Sequence, residues 1–196
     1  MLSSAQLEEV LAGWDRPVAL VAIDGLPLSG KSTLAERLSA RFGWAILAFD
    51  DFFLPPEMWP PAISPAFPFP FFRVTEFREA VRALRAVGRC SWNPIDWPTL
   101  TIAQRQAKVE ARGAVIVEGC SVLDPVLAPL YDVRLFVESD RDSVAKAQHA
   151  RDGENVLSDD WRKLFMPSVD AYMKTDPQSR SDLVVAGRGV VASPTA

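Results

Sequence analysis

Residues 25–32 read Gly-Leu-Pro-Leu-Ser-Gly-Lys-Ser, the pattern G-x-x-x-x-G-K-[ST] without a mismatch. Its surroundings narrow the choice of fold further. Residues 17–24 (PVALVAID) form an apolar, β-branched run that predicts a buried strand. Residues 31–42 place Leu34, Leu38 and Phe42 at helical spacing, which predicts a helix. The chain must turn from strand into helix within six residues, and glycine permits such backbone turns and close approaches. The loop's N–H groups and the helix N-terminus then attract an anion. Lys31 adds a positive charge for the β- and γ-phosphates of a nucleotide, and the Ser32 hydroxyl suits Mg²⁺. Gly25, Leu26, Pro27, Leu28, Ser29, Gly30, Lys31, Ser32 and Thr33 are therefore the expected nucleotide-binding residues, with ATP and Mg²⁺ as the implied cofactors.

Four further apolar runs predict strands: residues 44–49, 114–117, 133–137 and 183–186. Helices are expected over residues 8–12, 75–87, 101–112, 142–151 and 159–173, with a turn-rich stretch at 92–98. Unbroken apolar strands separated by helices imply a parallel sheet covered on both faces. The length of 196 residues suits one such domain, read here as spanning residues 1–196.

Residues 54–72 interrupt the pattern with seven prolines among Trp59, Phe67, Phe69, Phe71 and Phe72. Proline fixes φ and lacks a donor, so neither a long helix nor a central strand fits. The aromatic content exceeds that of a disordered linker and predicts a wall over a substrate pocket, with a rigid linker as the plainer reading. Exposed apolar residues of this kind would also suit a homodimer surface.

Ligands of open α/β sheets sit beyond the carboxyl ends of the strands. Asp50 and Asp51 follow the second predicted strand and Glu118 the third. Phosphoryl transfer to an alcohol needs a base or orienting group for the hydroxyl and a carboxylate near the metal. Asp50 suits the first role. Glu118 suits the second, directly or through water, and Asp51 is a weaker metal candidate.

The strand–loop–helix, the DDFF of residues 50–53 and the EG of residues 118–119 together resemble the uridine kinase and nicotinamide riboside kinase family. The resemblance implies a three-layer α/β/α P-loop fold with a five-stranded parallel sheet in the order 2-3-1-4-5. It also implies Mg-ATP as donor and a hydroxyl of a nucleoside or nucleoside-like molecule as acceptor. On this reading Lys31, Asp50 and Arg151 are catalytic, Arg151 belonging to a lid over about residues 146–163. Arg180 falls near the nucleotide base. Phe53, Arg73, Asp96, Trp97 and Glu118 join Asp50 on the acceptor side. The polar residues that follow DDFF in the family are replaced here by the proline-aromatic segment, which favours a flat or apolar acceptor.

The bulk chemistry removes other classes. A net charge of -4 disfavours nucleic acid as a partner, since that binding rests on neutralising phosphates. Cys90, Cys120 and the single His149 form neither a disulfide framework nor a zinc motif. His149 reads as a helix surface residue rather than a base. Neither a leader pattern nor a long apolar run is present, so a cytoplasmic protein without membrane contact is expected. The alternatives are a kinase for another metabolite or an antibiotic, and a regulatory module that binds ATP without transferring phosphate.

Overall fold

Six consecutive residues with no exposed side chain begin the sheet. In the computed structural model, which describes residues 1–13, 19–151 and 158–192, and side chains throughout these except at Arg151 and Ser158, they form β1 (Leu20–Gly25). A short helix α1 (Ser4–Ala12) precedes it. Ser3 and Gln6 close a reciprocal capping box at its start. After β1 come α2 (Lys31–Phe42) and β2 (Ala45–Ala48), then a 3-10 turn over Phe49–Phe52. Helix α3 (Val74–Val87) leads into four short strands: β3 (Arg89–Trp92), β4 (Ile95–Asp96), β5 (Thr101–Ile102) and β6 (Ala107–Glu110). The main sheet resumes with β7 (Val115–Glu118) and β8 (Val133–Glu138). Helix α4 (Arg141–Arg151) follows. Beyond it run α5 (Ser158–Asp160), a π-helical turn (Trp161–Phe165) and α6 (Met166–Met173) as one continuous helical segment, before the last strand, β9 (Leu183–Ala186).

The five strands of the main sheet are parallel and ordered β2-β7-β1-β8-β9, which is 2-3-1-4-5 counted along the chain. Alternation along β1 assigns the faces. Val21 and Ile23 pack with Leu7 and Leu11 of α1 and Leu34 and Leu38 of α2. Leu20 and Ala22 belong to the opposite cluster, with Phe77, Val81 and Leu84 of α3, Val144 of α4 and Val169 and Tyr172 of α6. Leu2 pairs with the edge strand through Leu2 N–H to Val184 O (2.9 Å) and Ala186 N–H to Leu2 O (2.8 Å), which blunts an otherwise open edge. No helix among the described residues is long and apolar enough to cross a membrane.

One expected helix is absent. Residues 101–112 hold β5 and β6 instead, paired antiparallel with β4 and β3. An exposed helix there would have no apolar stripe to bury. The strand pairing buries Val109 against Cys90 and Trp92, in a period of two that the segment does contain. The proline-aromatic segment folds back on the sheet rather than bridging two units. Phe69 and Phe71 are buried, and Leu54 N–H bonds Phe71 O at 2.9 Å.

Candidate active site

The phosphate loop joins β1 to α2, and two of its glycines are required by geometry. Gly25 has φ +148°, and a Cβ there would lie 2.5 Å from the Val137 carbonyl oxygen. Gly30 has φ +104° and opens α2, whose first turn directs unpaired N–H groups toward the loop. Lys31 is buried, its Nζ donating to Leu26 O at 2.8 Å. Ser32 Oγ lies 3.2 and 3.3 Å from the two carboxylate oxygens of Glu118, the last residue of β7.

The turn after β2 presents Asp50 and Asp51 because its other two residues are anchored inward. Phe49 stacks on Phe72 at 4.2 Å and meets Phe77 edge-on at 4.7 Å. Phe52 packs on Phe77 and Trp92. Asp50 is exposed and faces the same cavity as Lys31, Ser32 and Glu118. Asp51 turns the other way and accepts from Trp92 Nε1 at 3.0 Å. Burial, reinforced by the negative charge of Asp50, pushes the Glu118 carboxyl up to about 7, against the opposing pull of Lys31 and of the Ser32 bond. Burial likewise raises Asp51.

The cavity measures about 1240 Å³. Its polar floor is the phosphate loop with Asp50, Glu118 and Arg188. Its aromatic lining is built from Phe53, Phe71, Phe72 and Trp97, and from Trp161 and Phe165 on the π-helical turn. These rings hold one another: Phe53 lies 5.1 Å from Trp97 and 5.8 Å from Phe165, and Phe71 lies 4.5 Å from Phe165. A second cavity of about 330 Å³ shares Gly30, Thr33 and Arg188 with the first and extends between α2 and the residues after β9.

The structure thus gathers Lys31, Ser32, Thr33, Asp50, Phe53, Trp97 and Glu118 around one space. It does not bring every expected residue there. Arg73 does not line the cavity; its guanidinium is spent on Asp51 O (2.9 Å), Asn93 O (2.7 Å) and the Glu76 carboxylate (2.6 Å), where it staples the Asp50 turn to the β3–β4 corner. Asp96 accepts from Thr99 Oγ1 at 2.5 Å, within its own turn. Arg180 bonds Leu123 O at 2.7 Å and the Thr175 side chain at 2.9 Å, away from both cavities. Guanidinium groups with several fixed donors are readily consumed by backbone carbonyls, and sequence position does not reveal this. The Arg151 side chain lies outside the described residues, although Gln148 and Ala150 just before it line the cavity.

Sequence reasoning missed Arg188, which donates from Nε to Leu28 O (2.7 Å) and from its backbone to Ser29 O (3.0 Å), and so braces the phosphate loop. A cation just past the carboxyl end of the last parallel strand was the available signal. It also missed Trp161 and Phe165. The π-helical turn brings both rings to the cavity, and such turns often mark functional sites.

No protein-family model and no curated protein matches the sequence. Solved structures do match the fold. A possible uridine kinase from Bacillus stearothermophilus superposes with a TM-score of 0.71 at 20% identity, over 93% of this chain and 96% of that one. A candidate fructose transport system kinase from Silicibacter sp. TM1040 gives 0.69 at 24% identity, over 94% and 98%. Phosphoribulokinase from Rhodobacter spheroides gives 0.61 at 12% identity, over 91% and 73%. With the strand order and the phosphate loop already in place, these likenesses give the chain the fold of the P-loop kinases.

Proposed function

We propose that this protein is an ATP-dependent kinase that transfers the γ-phosphoryl group to a hydroxyl of a nucleoside or nucleoside-like acceptor. One observation carries the reading: the phosphate loop, Asp50 and Glu118 share a single cavity with a set of aromatic rings. Six aromatic rings in the lining offer a flat ring a stacking surface, which favours a nucleoside-like acceptor over a free sugar.

The loop amides, the α2 N-terminus and Lys31 hold the phosphate chain and stabilise charge as it develops on the transferred group. Asp50, exposed to the cavity, accepts or orients the acceptor's hydroxyl proton. The aromatic wall keeps water from competing for the phosphoryl group. Arg151, next to the cavity-lining Ala150, is assigned to the transferring phosphate.

The residues fit Mg²⁺. Ser32 Oγ and the Glu118 carboxylate converge as hard oxygen donors. When bound, magnesium supplies neutralising charge to the β- and γ-phosphate oxygens.

Product mass after incubation with Mg-ATP and a panel of nucleosides and nucleoside-like alcohols tests the proposal. Lys31→Ala should cut turnover by about 10²- to 10³-fold or more. Asp50→Asn should leave ATP affinity intact and lose turnover. Near-normal turnover in Asp50→Asn would remove the base assignment, and ATP binding with no product across the panel would remove the nucleoside acceptor.

A further inference from the structure

Asp24, the residue before Gly25, is wholly buried and has no part in the chemistry above. Its carboxylate accepts four hydrogen bonds. They come from Gly25 N–H (2.6 Å), Ser121 N–H (3.2 Å), Leu123 N–H (2.7 Å) and the Tyr172 hydroxyl (2.5 Å). A carboxylate removed from water is costly, and the fold keeps it only with its lone pairs satisfied. The donors come from three separate places. Gly25 is the first residue of the phosphate loop. Ser121 and Leu123 belong to the loop that follows Glu118, in which Ser121 holds a left-handed φ of +82°. Tyr172 belongs to α6.

Helix α6 continues without a break from the π-helical turn that carries Trp161 and Phe165. Tyr172 is itself fully buried against Phe67 (4.8 Å) and Phe69 (6.2 Å) of the proline-aromatic segment. One hydroxyl therefore joins the helix that forms the acceptor-side wall to the carboxylate that holds the phosphate loop and the Glu118 loop. Among the described residues, Lys31, Cys120 and Tyr131 also lie within electrostatic reach of Asp24.

We infer that Asp24 and Tyr172 are positioning residues that couple helix α6 to the phosphate loop, so that a nucleotide on the loop orders α6 and a ligand against α6 in turn favours the loop's binding geometry. Coupling of this kind is reciprocal and of the order of 5- to 150-fold in affinity. It deepens the proposed kinase reading and rests on it, since it needs a nucleotide at the loop.

Hydrogen exchange with and without Mg²⁺ and a non-hydrolysable ATP analogue tests the coupling without an identified acceptor. In the wild-type protein the analogue should slow exchange at residues 25–36 and also at 166–173. Tyr172→Phe keeps the buried ring and removes only the hydroxyl. It should retain the slowing at 25–36 and lose it at 166–173, as should Asp24→Asn if it folds. A merely structural hydroxyl would raise exchange at 166–173 equally in both states and leave the analogue-induced difference in place, which overturns the inference. Wild-type slowing at 25–36 without any at 166–173 overturns the coupling and spares the nucleotide reading. No slowing at 25–36 overturns the nucleotide reading, and the coupling with it.

Discussion

Glu118→Gln should make the metal-free protein more stable at pH 8 while abolishing most of its turnover. Glu118 is 6% exposed and lies near the negative charge of Asp50, so its carboxyl is pushed up from the ordinary 4.5 to about 7. In the unfolded chain it ionises at the ordinary value. Between the two values the folded protein holds a proton that the unfolded protein has released. This proton linkage supports folding most in acid and is lost as pH rises through about 7. At 1.36 kcal/mol per unit, a shift from 4.5 to about 7 corresponds to about 3 kcal/mol of lost support above the folded value. Glutamine mimics the protonated acid in shape and never ionises, so the variant escapes that loss. Urea unfolding without divalent cations, from pH 5 to pH 8, reads the effect. The variant-minus-wild-type difference should be under about 1 kcal/mol at pH 5 and grow to about 3 kcal/mol in favour of the variant by pH 8. Subtraction removes the contributions of Asp24 and Asp51, whose carboxyls burial also raises. A difference that stays flat across this range would refute the argument that Glu118 is held protonated by desolvation and by Asp50. Added Mg²⁺ should favour ionised Glu118 and so stabilise the wild type relative to the variant.

The aromatic wall and the turn that bears Asp50 give two more expectations. Trp97→Ala should raise the acceptor KM by about 2- to 12-fold, since the half-exposed ring beside Phe53 offers a stacking surface worth about 0.5–1.5 kcal/mol, and should leave the ATP KM within twofold. An equal rise in both would place Trp97 outside acceptor recognition. Phe49→Ala should cost about 3–5 kcal/mol in urea unfolding, because Phe49 is 1% exposed and packed against Phe72 and Phe77. A loss below about 1 kcal/mol would mean that the rings around it collapse into the gap.

Features carried by neighbouring residues were legible. The phosphate loop is a string of eight, and the strand before it and helix after it announce themselves through apolar runs and helical spacing. Asp50 and Glu118 could be singled out as candidates because a residue at the carboxyl end of an apolar strand in a parallel sheet lies at the ligand edge, and both line the cavity. Residues 101–112 were misread because strand pairing is decided by a partner elsewhere. Val109 becomes a strand residue only where Cys90 lies opposite it. Arg73, Asp96 and Arg180 carry suitable chemical groups, yet Arg73 and Arg180 donate to the carbonyls of Asn93 and Leu123 and Asp96 accepts from Thr99.

The sequence by itself therefore determined the phosphate loop, the strand-end carboxylates and the order of alternating elements, because each depends on spacing along a few residues. Only the tertiary structure decided which charged groups face the cavity. It also joined rings from positions 53, 71–72, 97 and 161–165 into one wall and set Tyr172 against Asp24. Burial and hydrogen-bond satisfaction are fixed by partners distant in the chain, 148 residues apart for Tyr172 and Asp24, and no local pattern encodes which of them will meet.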